Sequence, residues 1–134
     1  MIVADASVLT GALAFSDQRG ASARTALSRD SSWQAPEHWK AEVFSAVRGL
    51  AAGGHLSPDH AEWVVRQIPG LAIASISLDG LLGAMWQLRA NFSGYDAAYV
   101  ALARLHDLTL VTADGRLARA ATEHCRVELV SPRG

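Results

Sequence analysis

A single cysteine, Cys125, stands in 134 residues, so no internal disulfide can form and no thiolate zinc site can be built. A reducing cytoplasm is the expected compartment. Strong charge of either sign is also missing: the net charge is -1 and the pI about 6.5, which offers no bulk attraction to nucleic acid or anionic lipid. Any polyanion contact must be local. No apolar run reaches the ~18 residues a membrane span needs, and the opening MIVADASVLTGALAF lacks a basic leader and is interrupted by Asp5. A soluble, untargeted protein is expected. Internal repeats, low-complexity tracts and linkers are lacking too, which leaves one domain over residues 1–134.

What is present is apolar. Half of the residues are hydrophobic and 19% charged, enough to bury a core, and this excludes global disorder. Ile2-Val3-Ala4 reads as a strand buried on both faces. Ser7–Phe15 and Ala21–Asp30 read as helices with a break at Asp17–Gly20, and Trp33–Ala35 as a brief strand. Pro36 then suits the first turn of a helix that runs from about Glu37 to Ala52. Gly53-Gly54 ends it. Ser57 caps the next helix, with Pro58 in its first turn and Pro69-Gly70 at its end. Leu71–Leu78 alternates Ile with Ser and reads as a strand, after which Asp79 is expected to cap a helix through Leu81 and Leu88. Tyr95, Tyr99, Leu102 and His106 have helical spacing, Leu108–Thr112 is an apolar strand, a short helix reaches Thr122, and Val127–Val130 is the last strand. Five strands alternating with helices imply an α/β fold, with a parallel sheet covered on both faces.

Ligands of such sheets bind beyond the carboxyl ends of the strands, where strand order reverses. That makes acids at strand ends worth following. Asp5 ends the first strand, and Asp114 lies two residues past the Leu108–Thr112 run. Glu42 sits roughly 60° from Trp39 on the helical wheel, at the margin of the stripe formed by Trp39, Val43, Val47 and Leu50. Asp96 opens its helix after Ser93-Gly94. Four carboxylates on one rim repel one another unless a cation sits among them. Donors that are all oxygen favour Mg²⁺ or Mn²⁺ over zinc. An ion of that kind activates water and stabilises a leaving oxygen, which is the chemistry of phosphodiester hydrolysis. Setting these acids aside leaves a mildly cationic remainder in which Arg19, Arg24, Arg29, Arg116 and Arg119 are candidate phosphate contacts.

The segments MIVADAS, APEHWKAEVFSAVR, SGYDAAYVALA and LTLVTADGRLARA, in this order, resemble the PIN-domain ribonucleases, specifically the VapC-type toxins of toxin–antitoxin pairs. The resemblance spans nearly the whole chain. It implies a PIN-like three-layer sandwich with a five-stranded parallel sheet, Mg²⁺ with Mn²⁺ as a substitute, and endonucleolytic cleavage of RNA to 3′-hydroxyl and 5′-phosphate ends. It further implies a small antitoxin protein as partner, and a homodimer. Carried over, Asp5, Glu42, Asp96 and Asp114 form the site, with Ser7 and Thr112 hydrogen-bonded to the acids. Asp5 and Asp96 are the direct ligands, joined by Asp114, while Glu42 and Asp114 also act through water on the ion. Gly115 and Arg116 stand where some relatives carry a further acid, so one ion is expected. Arg116 and Arg119 are divided between substrate contact and solvated surface.

The remaining chemistry-bearing residues receive structural readings. Asp79 and Asp107 are boundary residues, and Trp33, Trp39, Trp63 and Trp86 are core or dimer-contact residues. His38, His55, His60, His106 and His124 are structural, none being placed at a strand end. Two rivals to the nuclease remain: a PIN scaffold that binds a partner without cleaving, and a phosphatase or phosphoacceptor domain using Asp5 or Asp79.

Overall fold

The apolar runs of the sequence become the strands of one sheet in the structure, a computed structural model that describes residues 1–131. The last three positions of the expected 1–134 unit lie outside the described residues. Chain order is β1 (Ile2–Ala4), α1 (Ala6–Ala14), α2 (Gln18–Ser28), β2 (Trp33–Pro36), α3 (Trp39–Ala52), α4 (Pro58–Gln67), β3 (Ile73–Ile76), α5 (Leu82–Gln87), α6 (Gly94–Leu105), β4 (Thr109–Thr112), α7 (Gly115–Ala121) and β5 (Val127–Leu129). All strand pairings are parallel, in the order β3-β2-β1-β4-β5. The fold is the expected α/β sandwich.

Burial explains which runs are uniformly apolar. β1 is buried throughout and β4 nearly so, because both are interior strands between helical layers. β3 is an edge strand and is less buried, and its one serine, Ser75, accepts through Oγ a hydrogen bond of 2.8 Å from Trp39 Nε1. The right-handed crossovers expected of parallel strands put α1 to α4 on one face, and α1 packs on α2, α3 and α4. On the other face α6 lies across β1, β2 and β4, with α5 and α7 beside it. Val3, Leu9, Trp39, Val43, Val47, Tyr99, Leu102 and Leu110 fill the two interfaces. Among the described residues no helix is long and apolar enough to cross a membrane.

Several element ends differ from expectation, each for a local reason. Asp17 accepts from the Arg19 amide and starts α2 at Gln18, so the expected break at Asp17–Gly20 is mostly helix. Pro36 ends β2 and pairs in register with Ile76; it does not open α3, which begins at Trp39 with His38 in the capping position. Ser57 and Pro58 open α4 as expected. β3 covers only Ile73–Ile76, because Leu78–Gly80 forms a turn of 3-10 helix whose cap is Ser77. Asp79 therefore caps no helix, and α5 starts at Leu82 without a side-chain cap.

The arginines and tryptophans also divide. Arg19 pairs with Asp17, Arg29 with Glu128, and Arg24 Nη1 donates to the carbonyls of Ala12 and Phe15 at the end of α1. All three are engaged within the protein. Trp39 is fully buried, and Trp33 Nε1 donates to the Leu27 and Asp30 carbonyls, but Trp63 and Trp86 are exposed and are not core residues.

Candidate functional site

β1 and β4 are neighbours, with Ala4 opposite Val111, and the connections that leave them run in opposite directions across the sheet. This is the switch point of the fold. The register delivers Asp5 and Thr112 side by side at the carboxyl edge, where the Asp5 amide donates to the Val111 carbonyl at 3.0 Å.

Asp5 does two things at once. Its carboxylate caps α1, accepting from the Ser7 amide, and it is only 5% exposed. Oδ2 also accepts from Ser7 Oγ at 2.5 Å and from Thr112 Oγ1 at 2.8 Å. The two hydroxyls are themselves held: the Ala113 amide donates to Ser7 Oγ and the Asp114 amide to Thr112 Oγ1. Ser7 and Thr112 thus lock one oxygen of Asp5. Burial pushes the Asp5 carboxyl up from its ordinary value; the hydrogen bonds from Ser7 and Thr112 oppose this, and the Glu42 charge adds to it.

Asp114 caps α7, its Oδ1 accepting from the Arg116 and Leu117 amides. Asp96 stands in the first turn of α6, whose cap Ser93 accepts from the Asp96 amide. Its Oδ2 lies 3.5 Å from an Nη of Arg116. Burial raises the Asp96 carboxyl most; Arg116 lowers it, and the charges of Asp114 and Glu42 raise it again. Arg119 is exposed on α7, one turn beyond Arg116. Asp79, the rival phosphoacceptor, is exposed in the turn after edge strand β3.

Glu42, in the first turn of α3, places Oε1 3.0 Å from His38 Nε2, but the two are not aligned as a hydrogen bond. Among the described residues both atoms are buried without another partner, as are His38 Nδ1 and the Tyr99 hydroxyl. Tyr99 is wholly buried, and its phenol is pushed upward by burial first and then by the Glu42 and Asp5 charges. Asp5, Glu42, Asp96 and Asp114 are thus electrostatically coupled at one edge of the sheet.

Among the described residues no group of three or more Asp, Glu, His or Cys side chains is arranged to hold a metal ion. The donor chemistry nonetheless suits a hard divalent ion. The four acids offer only oxygen, Glu42 Oε1 is a buried carboxylate oxygen without a hydrogen bond, and the hydrogen bonds to Asp5 all go to Oδ2. Mg²⁺ needs few protein ligands, since it keeps several waters and binds through one or two carboxylates.

Residues 2–123 match the PIN domain family, whose class suits this parallel sheet with acids at its switch point. Ribonuclease VapC1 of Mycobacterium tuberculosis is 37% identical over 131 residues, which cover 96% of each chain. Ribonuclease VapC9 of the same organism is 34% identical over 130 residues, 97% of this chain and 98% of its own. The chain belongs to the PIN-domain family, and within it stands with the VapC ribonucleases. A solved structure, PAE2754 from Pyrobaculum aerophilum, shares the fold at 20% identity, with a TM-score of 0.66 over 94% of this chain and 82% of that one.

His38 is read from the sequence as a structural residue. It was placed away from strand ends, yet β2 runs to Pro36 and His38 follows two residues later, one helical turn before Glu42. The i,i+4 spacing of a His and a Glu at a helix start was the available signal. Tyr99 is read from the sequence only through its helical spacing with Tyr95, Leu102 and His106. Its i,i+3 relation to Asp96 turns it toward the acids.

Proposed function

We propose that this protein is a metal-dependent endoribonuclease, the toxin of a toxin–antitoxin pair. The observation that carries this reading is a buried Asp5, locked by Ser7 and Thr112 and coupled to Glu42, in a chain whose relatives are named ribonucleases. Asp5 and Asp96, with Asp114, would hold Mg²⁺, with Mn²⁺ as a substitute. When bound, that ion supplies an activated water and stabilises charge developing on the phosphate.

The protein's own groups do the rest. Ser7 and Thr112 fix Asp5 Oδ2 and leave Oδ1 as the oxygen that would bind the ion. The Glu42 carboxylate accepts the proton of the attacking water. The new P–O bond forms in line with the P–O3′ bond, which breaks; the ribose 3′ oxygen takes a proton from solvent water, leaving 3′-hydroxyl and 5′-phosphate ends. Arg116, already at the rim, contacts substrate phosphate, with Arg119 beside it. The antitoxin is a small protein that covers this rim, the toxin is a homodimer, and both act in the cytoplasm.

The test is cleavage mapping on total cellular RNA with Mn²⁺, with chelator, and with Asp96→Asn. Wild-type protein is expected to cut only with the ion, and Asp96→Asn to lose at least a hundredfold in rate while keeping its circular dichroism. Full activity in Asp96→Asn refutes the assignment of Asp96 to the site, and no cleavage by the wild type ends the nuclease reading and leaves a binding scaffold.

A further inference from the structure

Buried polar atoms are nearly always hydrogen-bonded, so a group of unpaired ones marks a place where the protein holds polarity for a purpose. Five buried side-chain polar atoms lack a partner among the described residues, and four of them belong to His38, Glu42 and Tyr99. These three side chains touch. His38 Nε2 lies 3.0 Å from Glu42 Oε1, and its ring meets Tyr99 edge-on at 5.5 Å and Tyr95 at 5.1 Å. His38 comes from the start of α3 and the tyrosines from the start of α6, so the imidazole bridges the two helical layers just beyond the carboxyl edge of the sheet.

We infer that His38 is a positioning residue for Glu42: an imidazole fixed between Tyr95 and Tyr99 that holds the Glu42 carboxylate toward Asp5. Three physical points support the assignment. The two aromatic contacts leave the imidazole little freedom of its own, so it is a firm partner for a flexible glutamate. Nε2 already lies at hydrogen-bond distance from Oε1, and the glutamate side chain, the more flexible of the two, can turn to meet it. Without that partner, Glu42 has a helix-surface rotamer open to it in solvent, where its carboxylate is better hydrated. The arrangement corresponds to the orienting group behind a general base, which acts on the geometry of the base and does not touch the substrate.

This inference rests on the nuclease reading, and its tests separate the two. His38→Leu removes the nitrogen donor at similar bulk, whereas His38→Gln restores a donor. In cleavage assays with Mn²⁺, His38→Leu is expected to lower kcat at least tenfold with KM within twofold of wild type, and His38→Gln to recover most of that loss. In the metal-free protein, Glu42→Gln is expected to move the His38 ring ¹⁵N resonances by several parts per million, a readout independent of activity. Wild-type protein that cuts no RNA overturns the nuclease reading. His38→Leu with wild-type kcat, His38→Gln no better than His38→Leu, or ring resonances indifferent to Glu42→Gln overturns the positioning role.

Discussion

At the residue scale, Asp5 carries the clearest conflict between fold and function. It is buried beside another carboxylate, and its carboxyl is raised from the ordinary 3.8, as is that of Asp96. The sign follows from linkage: the folded protein favours the protonated forms, so their contribution to stability is full below 3.8 and is lost as the pH rises through the raised values. Asp5→Asn keeps an acceptor for Ser7 and Thr112 and removes the charge. With chelator present, it is expected to melt a few degrees above wild type at pH 7, with the gap closing toward pH 4, as differential scanning fluorimetry reads. A variant that melts lower at neutral pH contradicts this. The acids were legible because each is an acid placed at an apolar or helical boundary. The paired hydroxyls Ser7 and Thr112 were legible only through family likeness, since 105 residues separate them in the chain.

At the element scale, helix starts were readable where a side chain makes the cap, and unreadable where packing does. Ser57 with Pro58 announces α4 correctly, because the Ser57 hydroxyl accepts from the His60 amide. Pro36 misled, because proline also fits a strand end, and its pairing opposite Ile76 cannot be seen along the chain. Within α2, Gly20 makes a close backbone approach that is equally invisible along the chain. A Cβ on Gly20 would lie 1.8 Å from the Phe15 carbonyl oxygen, which is backbone and cannot swing aside, while a Cβ on Gly49 of α3 would meet nothing within 4 Å. Opposite outcomes follow. Gly20→Ala is expected to cost roughly 1–3 kcal/mol or more, and Gly49→Ala to add up to about 1 kcal/mol, both measured by urea unfolding. Equal shifts in the two would remove the close approach from the account.

At the scale of the whole molecule, four acids from four separate segments interact across one edge of the sheet, and a cation that binds only the folded arrangement must stabilise it. At a hundred times its dissociation constant such an ion adds about 2.7 kcal/mol, a rise in melting temperature on the order of 10 °C. Mn²⁺ is expected to give this rise in wild type and little in Asp96→Asn. Equal rises in both would place the ion elsewhere. By itself the sequence determined the strand and helix alternation, the parallel sheet, and which carboxylates stand at element ends, because those follow from apolar runs, caps and spacing within a few residues. Only the tertiary structure decided that β1 lies against β4, that Thr112 holds Asp5, that Arg116 faces Asp96 and that His38 meets Glu42 beneath two tyrosines. The reason is physical: strand order and the meeting of helix ends are set by packing between distant segments, which leaves no local pattern along the chain.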